Sequence, residues 1–387
     1  MSKAKCFLIK VFCHLILFII INEKNVYGKK HKNNYKIVNP AIRKELTYSL
    51  SYGKIKNGIS FNPLLYPYLK ELKLRDIDND YIDVEVDSIP KPVIVTAFSE
   101  NHFNEALGLF KSIRRYLSNH KVVIYDIGLK KKNVRLVKKL CNVEYRRFNF
   151  SKYPKHFKIL FEYAWKPIIH AEALRDFKAI WFVDASIRFT KSDLSKIYAS
   201  TICRNNETGT LILENEFKSL IYSVNSDNNE ILGKKRLNNN HCNKSSFLLH
   251  SPAGHGIVPA THKGMFDYFP ASMNMLGSKR GEMYQSGLFY AIKTKDTTNK
   301  ILKWSVLCAL ERNCIAPKGS TRINCYTIRK KKNSESSSRC HRYDQSIYNI
   351  LLANAYNYDA KNYVSENNNF FEIKRDERGS IDETFFC

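Results

Sequence analysis

The chain opens on a short charged stretch with Lys3 and Lys5, followed by an apolar run from Phe7 to Ile21 that extends eleven residues past Lys10. A helix that crosses a bilayer needs about 20 apolar residues, so this run reads as a signal-peptide core. Val26-Tyr27-Gly28 supplies small positions at −3 and −1 of a cleavage site. Residues 1–28 are therefore a signal peptide or a retained signal anchor. From Lys29 to about Pro90 neither a 3.6 nor a 2.0 period is sustained, and residues 29–90 read as a polar stem.

The pattern sharpens at Lys91. Pro92 to Phe98 is a β-branched apolar run, and Phe103, Ala106, Leu107, Phe110 and Ile113 then recur at helical spacing. The unit repeats with Val122–Tyr125, a helix-like Lys130–Leu140 and a third strand over Val143–Phe150. Phe157–Phe177 carries a helical pattern interrupted near Pro167, and it leads into the apolar run Ala179–Val183. Beyond Thr190, Thr210–Leu213 and Ser246–Leu249 predict strands. Lys263–Phe269, Met283–Lys293 and His341–Asn354 predict helices, and Lys330–Arg339 a solvated loop. Strands alternating with helices predict one α/β domain over residues 91–380. Its core is a doubly wound, mostly parallel sheet with helices on both faces.

Composition adds an address and a charge. Sequons stand at Asn149, Asn206 and Asn243, and the cysteines other than Cys6 and Cys13 are even in number. Both suit a chain in an oxidising compartment with disulfides, whose pairing the sequence leaves open. Either a Golgi-luminal, single-pass type II protein or a secreted one fits. The net charge of +27 draws anions: nucleotide phosphates, sulfated glycans or acidic membranes. A solvated basic face is an equally good reading of that charge, and nucleic acid is set aside for a luminal chain. Asp76, Asp78 and Asp80 resemble half of a calcium loop, but Tyr81 stands where such a loop requires Gly, which leaves a solvated acidic stretch. His250, His255 and His262 lack a compact metal spacing and read as ordinary polar residues.

Chemistry concentrates in Ile180-Trp-Phe-Val-Asp-Ala-Ser-Ile-Arg-Phe189, where an apolar strand runs into Asp184 with Ser186 two residues on. In open α/β sheets, ligands bind at that carboxyl end. The segment resembles the GT-A glycosyltransferases, whose Asp-x-Asp motif follows such a strand. Asp184 matches the first Asp, and Ser186 departs from the second. Val95–Phe98, Val123–Leu129, Tyr163–Pro167, Trp181–Phe189 and His341–Ser346 resemble an uncharacterised family of nematode and other invertebrate proteins grouped with GT-A-like enzymes.

The resemblance implies a GT-A-like domain that moves a sugar from a nucleotide-sugar donor, a UDP-sugar, to a glycan or glycoprotein hydroxyl. Donor-binding positions are Thr96, Ala97, Phe98, Asp126, Lys166, Ser186 and Arg188. Asp184 is the metal ligand for a divalent ion, Mn2+, that would bridge the diphosphate. The alternative without metal has Lys166 or Arg188 neutralise the phosphates. Asp344, at a helix start, is the candidate base for an inverting transfer, against a simple capping role. Gln345 and Trp304 are placed on the acceptor side, with Cys308, Cys314 and Cys325 bracing the cleft. A non-catalytic relative that binds glycans through its basic surface is the rival reading.

Overall fold

The structure, a computed structural model, describes residues 39–50, 56–84, 87–201, 244–322, 325, 340–375, 379–380 and 385–387. The apolar run of the first 28 residues, the strand expected at Thr210–Leu213, the loop at Lys330–Arg339, Asn206, Asn243, Cys203 and Cys242 all lie outside them.

Ahead of the first predicted strand the chain folds onto the domain, which corrects the expected stem from residue 41 onward. Helix α1 (Pro40–Glu45) leads into the antiparallel pair β1 (Ser49–Leu50) and β2 (Lys56–Asn57), and helix α2 (Tyr66–Glu71) follows. Leu46, Phe61, Leu65, Leu69, Leu72 and Leu74 are buried in the main core. The aspartates behind them are paired rather than solvated. Asp76 Oδ1 accepts from the buried Lys303 at 2.7 Å, and Asp78 is held by Arg75. Asp80 accepts from Lys178 at 2.5 Å and from Lys293 at 2.8 Å.

Strand β3 (Val93–Phe98) is buried throughout, as its β-branched run demands, and helix α3 (Phe103–Tyr116) buries the expected apolar face. Then come β4 (Val122–Asp126), helix α4 (Lys131–Val137) and β5 (Val143–Arg147). Three 3-10 turns precede helix α5 (Trp165–Phe177), so Pro167 falls in its first turn, where the missing N–H costs nothing. β6 (Ala179–Val183) and β7 (Ile187–Phe189) lead to helix α6 (Ser195–Ser200). After β8 (Phe247–Leu249) and β9 (Pro252–Gly256) come the short helices α7 (Lys263–Tyr268) and α8 (Met273–Leu276).

Met283–Lys293, expected as a helix, instead forms β10 (Glu282–Tyr284) and β11 (Leu288–Ile292). Its apolar positions meet partner strands on both edges, and that tertiary pairing overrides the local pattern. A π-helical turn enters helix α9 (Lys303–Leu310), followed by α10 (Arg312–Ile315), α11 (Asp344–Ala355) and β12 (Phe371–Ile373).

The central sheet runs β5-β4-β3-β6-β11-β8. Its first four strands are parallel, and β11 is antiparallel to both neighbours, so the sheet is mixed. Alternate residues feed opposite cores, as the pleat requires. Val93, Val95, Ile180 and Phe182 face the layer holding α5, α9 and α11; Ile94, Phe98, Trp181 and Val183 face the layer holding α3, α4 and α6. Strand order reverses between β3 and β6. The crevice at the carboxyl ends of these strands is the place such sheets offer a ligand.

Candidate functional site

That crevice is an open cleft whose empty space, counted out into the solvent at its mouth, is about 710 Å³. β6 ends at Val183 and delivers Asp184 to it; β11 runs the other way, so Ser286 and Gly287 arrive opposite. The Asp184 N–H donates to the Gly287 carbonyl at 2.7 Å. A Cβ on residue 287 would meet Asp184 Oδ2 at 2.6 Å, so the carboxylate lies where only glycine leaves room. Helix α11 brings Asp344 and Gln345 at its N-terminus, and helix α5 brings Lys166 in its first turn.

Lys166 joins the two carboxylates. Its Nζ donates to Asp184 Oδ1 at 2.8 Å and stands 3.8 Å from Asp344 Oδ2, which also accepts from Ser286 Oγ at 2.9 Å. Lys166 and Asp344 side chains are each 5% exposed, whereas Asp184 is 35% exposed and faces the cleft. Burial works against the Lys166 charge, yet Asp184 and Asp344 outweigh it and hold the ammonium above its ordinary pKa. Burial first, and the Asp184 carboxylate next, push Asp344 up from the ordinary carboxylate range, while Lys166 and Ser286 pull it down. One helical turn behind these groups, His170 and Tyr348 share a 2.6 Å hydrogen bond. Burial and Lys166 hold His170 neutral, far below its usual pKa.

Tyr163 and Tyr343 flank the site. Both hold positive φ, 54° and 47°, a conformation costly to any residue but glycine, and their ring centroids are 6.2 Å apart. Arg322 donates to the Tyr163 hydroxyl and covers its ring at 5.1 Å. With Arg342 and Arg375 it gives the cleft three guanidinium groups beside Lys166.

Of the residues singled out from the sequence, Asp184, Ser186, Lys166, Asp344 and Gln345 line this cleft. The others stand elsewhere. Arg188 turns its guanidinium away, donating to the carbonyls of Ala185 and Ile187 and packing where a Cβ on Gly108 of α3 would come within 2.5 Å of it. Trp304 is a core residue, edge-on to Tyr48 at 5.2 Å, which corrects its acceptor-side placement. Phe98 packs on Phe103 and Phe110, and Thr96 and Ala97 are buried in the strand.

Asp126 spends its carboxylate on the turn: Oδ1 accepts from the N–H groups of Gly128 and Leu129, and Oδ2 from Tyr145. His250 stacks on Trp181, and burial lowers it to about 3. Among the described residues three disulfides form, Cys308–Cys314, Cys325–Cys340 and Cys141–Cys387.

Tyr163, Ser286, Gly287, Arg322, Arg342 and Arg375 were not singled out from the sequence as site residues. Tyr163 and Arg342 adjoin Lys166 and Asp344 within segments that carry the resemblance, which is the signal that could have found them. The rest reach the cleft through strand pairing and loop closure alone. The donor set does not fit a protein-built Mn2+ site. Lys166 already binds Asp184 Oδ1, Ser186 offers a hydroxyl in place of a second carboxylate, and no group of three His, Cys, Asp or Glu among the described residues is arranged to hold a metal.

No curated protein matches the chain. Among solved structures it is similar to the galactosyltransferase LgtC in complex with donor and acceptor sugar analogues, at 12% identity and a TM-score of 0.32, covering 67% of this chain and 70% of that one. It is similar to mouse xyloside xylosyltransferase 1 at 9% identity and a TM-score of 0.37, over 75% and 99%. With the glycosyltransferase GlyE of Streptococcus pneumoniae TIGR4 the values are 13% and 0.30, over 72% of this chain and 45% of that one. Residues 42–171, from within the expected stem to the middle of α5, match the family described as "Protein of unknown function (DUF1647)".

Proposed function

We propose that this chain is a GT-A-like glycosyltransferase. In this reading it moves a sugar from a nucleotide-sugar donor, a UDP-sugar, to a hydroxyl of a glycan or glycoprotein in the secretory pathway. The observation that carries the reading is the pairing of cations with carboxylates in one cleft. Lys166, Arg322, Arg342 and Arg375 stand with Asp184 and Asp344 at the carboxyl ends of the parallel strands. A nucleoside diphosphate leaves with two or three negative charges, and preorganised cations stabilise that charge as it develops. The arginines would take the diphosphate, with Lys166 beneath them.

Asp184, the more exposed carboxylate, would orient sugar hydroxyls. Asp344 would accept the acceptor's hydroxyl proton as the new bond to the anomeric carbon forms and the bond to the phosphate oxygen breaks. Its raised pKa brings the base closer to working pH. A panel of nucleotide sugars, each run with and without EDTA, tests the reading. Asp184→Ala in a folded preparation should abolish turnover, and unchanged turnover would sink it.

A second reading rests on Ser186 and on the lysine already bound to Asp184: a domain that holds a nucleotide or glycan without transferring it. Stabilisation by nucleotide in thermal unfolding with no turnover of any donor would select that reading.

A further inference from the structure

Helix α4 and the turn after it carry Lys131, Lys132, Arg135, Lys138 and Lys139, all exposed, and residues 129–142 contain no Asp or Glu. None of the five takes part in an ion pair with a described residue, although the neighbouring cations do. Lys121 and Arg146 pair with Glu144, Arg146 also with Asp176, and Lys130 with Glu100. Lys138 instead lies over the Tyr145 ring at 4.8 Å. Like charges three and four residues apart cost helix stability, and the ring contact of Lys138 and the attraction of Glu100 for Lys132 offset only part of that cost.

At 1.5 Å per residue, positions 131 to 139 form a cationic stripe about 12 Å long. It runs along the outer face of the layer that covers β4 and the edge strand β5. The cleft draws no residue from it.

We propose that this stripe is a binding site for a linear anionic polysaccharide carrying sulfate or carboxylate groups. Charge complementarity argues for a polyanion: a row of unpaired cations meets a row of anions and releases counterions. The apolar surface argues against a membrane. The large exposed hydrophobic residues among those described are Ile59, Leu64, Ile77, Phe161, Met273 and Ile373, and residues 129–142 contribute none of them, so the helix brings no exposed apolar wedge with its charge. The three disulfides argue for an oxidising compartment, where the abundant polyanions are glycans rather than nucleic acids. The site is independent of the proposed reaction in the cleft.

The test is binding of the full chain to heparin across a sodium chloride series, with anionic phospholipid vesicles as a second arm. K131Q/K132Q/R135Q/K138Q should lower heparin affinity by about tenfold or more and flatten its salt dependence. K44Q/K70Q/K263Q/K279Q removes the same charge from exposed, unpaired lysines elsewhere and should change affinity by less than about twofold. Equal losses in the two variants would overturn the proposal in favour of diffuse net charge. Vesicle binding that depends on the stripe without heparin binding would overturn it in favour of a membrane. Lysine acetylation of the unmodified protein gives an independent readout: heparin should protect Lys131, Lys132 and Lys138 and leave Lys44 and Lys70 reactive, and the reverse pattern refutes the site.

Discussion

Lys166 Nζ lies 2.8 Å from Asp184 Oδ1, and it is the charge that lets a second, buried carboxylate, Asp344, stand 3.8 Å away on its other side. Removing one partner of a buried pair costs about 3 to 5 kcal/mol because the remaining charge is left uncompensated. Lys166→Met should therefore lower the unfolding free energy by several kcal/mol and abolish donor binding. The double variant K166M/D344N should recover part of that stability, since the stranded carboxylate is gone. Urea unfolding of the four proteins in the cycle measures it, and a double variant no more stable than K166M would contradict the arrangement.

Gly287→Ala tests the fit around Asp184. The new methyl meets Asp184 Oδ2 at 2.6 Å, at the flexible end of a partly exposed side chain. The carboxylate should be displaced while the fold persists. We expect turnover to fall by about 100-fold with near-wild-type circular dichroism. Full activity in the alanine variant would show that Asp184 needs no fixed position.

Asp344 sets a pH dependence of determined sign. Its folded pKa is raised, so its contribution to stability is present in acid and is lost as pH rises through the folded value. Asp344→Asn should thus be at least as stable as the parent at neutral pH, yet inactive. In the parent, the acid limb of kcat/KM should lie above the ordinary carboxylate range of about 4. Ser286→Ala removes a hydrogen bond that favours the ionised form and should move that limb further up. A limb that moves down refutes the assignment.

Asp80 behaves in the opposite sense. Burial would raise its pKa, but Lys178 and Lys293 prevail and hold it at about 2. Its stabilisation is present above the unfolded carboxylate value of about 4 and is lost as pH falls towards 2. Asp80→Asn should cost about 2 kcal/mol at pH 7 and much less at pH 2. Thermal unfolding at the two pH values reads this directly.

Trp304→Ala separates a core role from a sugar-binding one. Loss of a buried indole costs about 3 to 5 kcal/mol, and KM for an acceptor should be unchanged at temperatures where the variant is folded. A rise in KM without a loss of stability would restore Trp304 to the site.

The elements that local pattern could place were those whose burial has one clear period. β3, α3, β4 and β6 were legible because a fully buried strand is a continuous apolar run and a half-buried helix repeats every three to four residues. The segment from Leu46 to Leu74 was not. Its helices are too short to show a period, and its burial comes from contact with residues hundreds of positions away, such as Phe61 against Trp304. The paired aspartates failed for the same reason: Asp76 and Asp80 looked solvated because their lysines lie more than ninety residues downstream.

By itself, the sequence determined the α/β alternation, the strand that ends at Asp184, and the helices that carry Lys166 and Asp344. Tertiary structure alone decided that Lys166 stands between those two carboxylates, that β11 enters antiparallel to bring Ser286 and Gly287 opposite Asp184, and that Arg188 and Trp304 turn away from the cleft. The physical reason is range. Side-chain periodicity is a property of neighbouring residues, whereas a site's charge balance depends on which distant strand ends share one edge of the sheet.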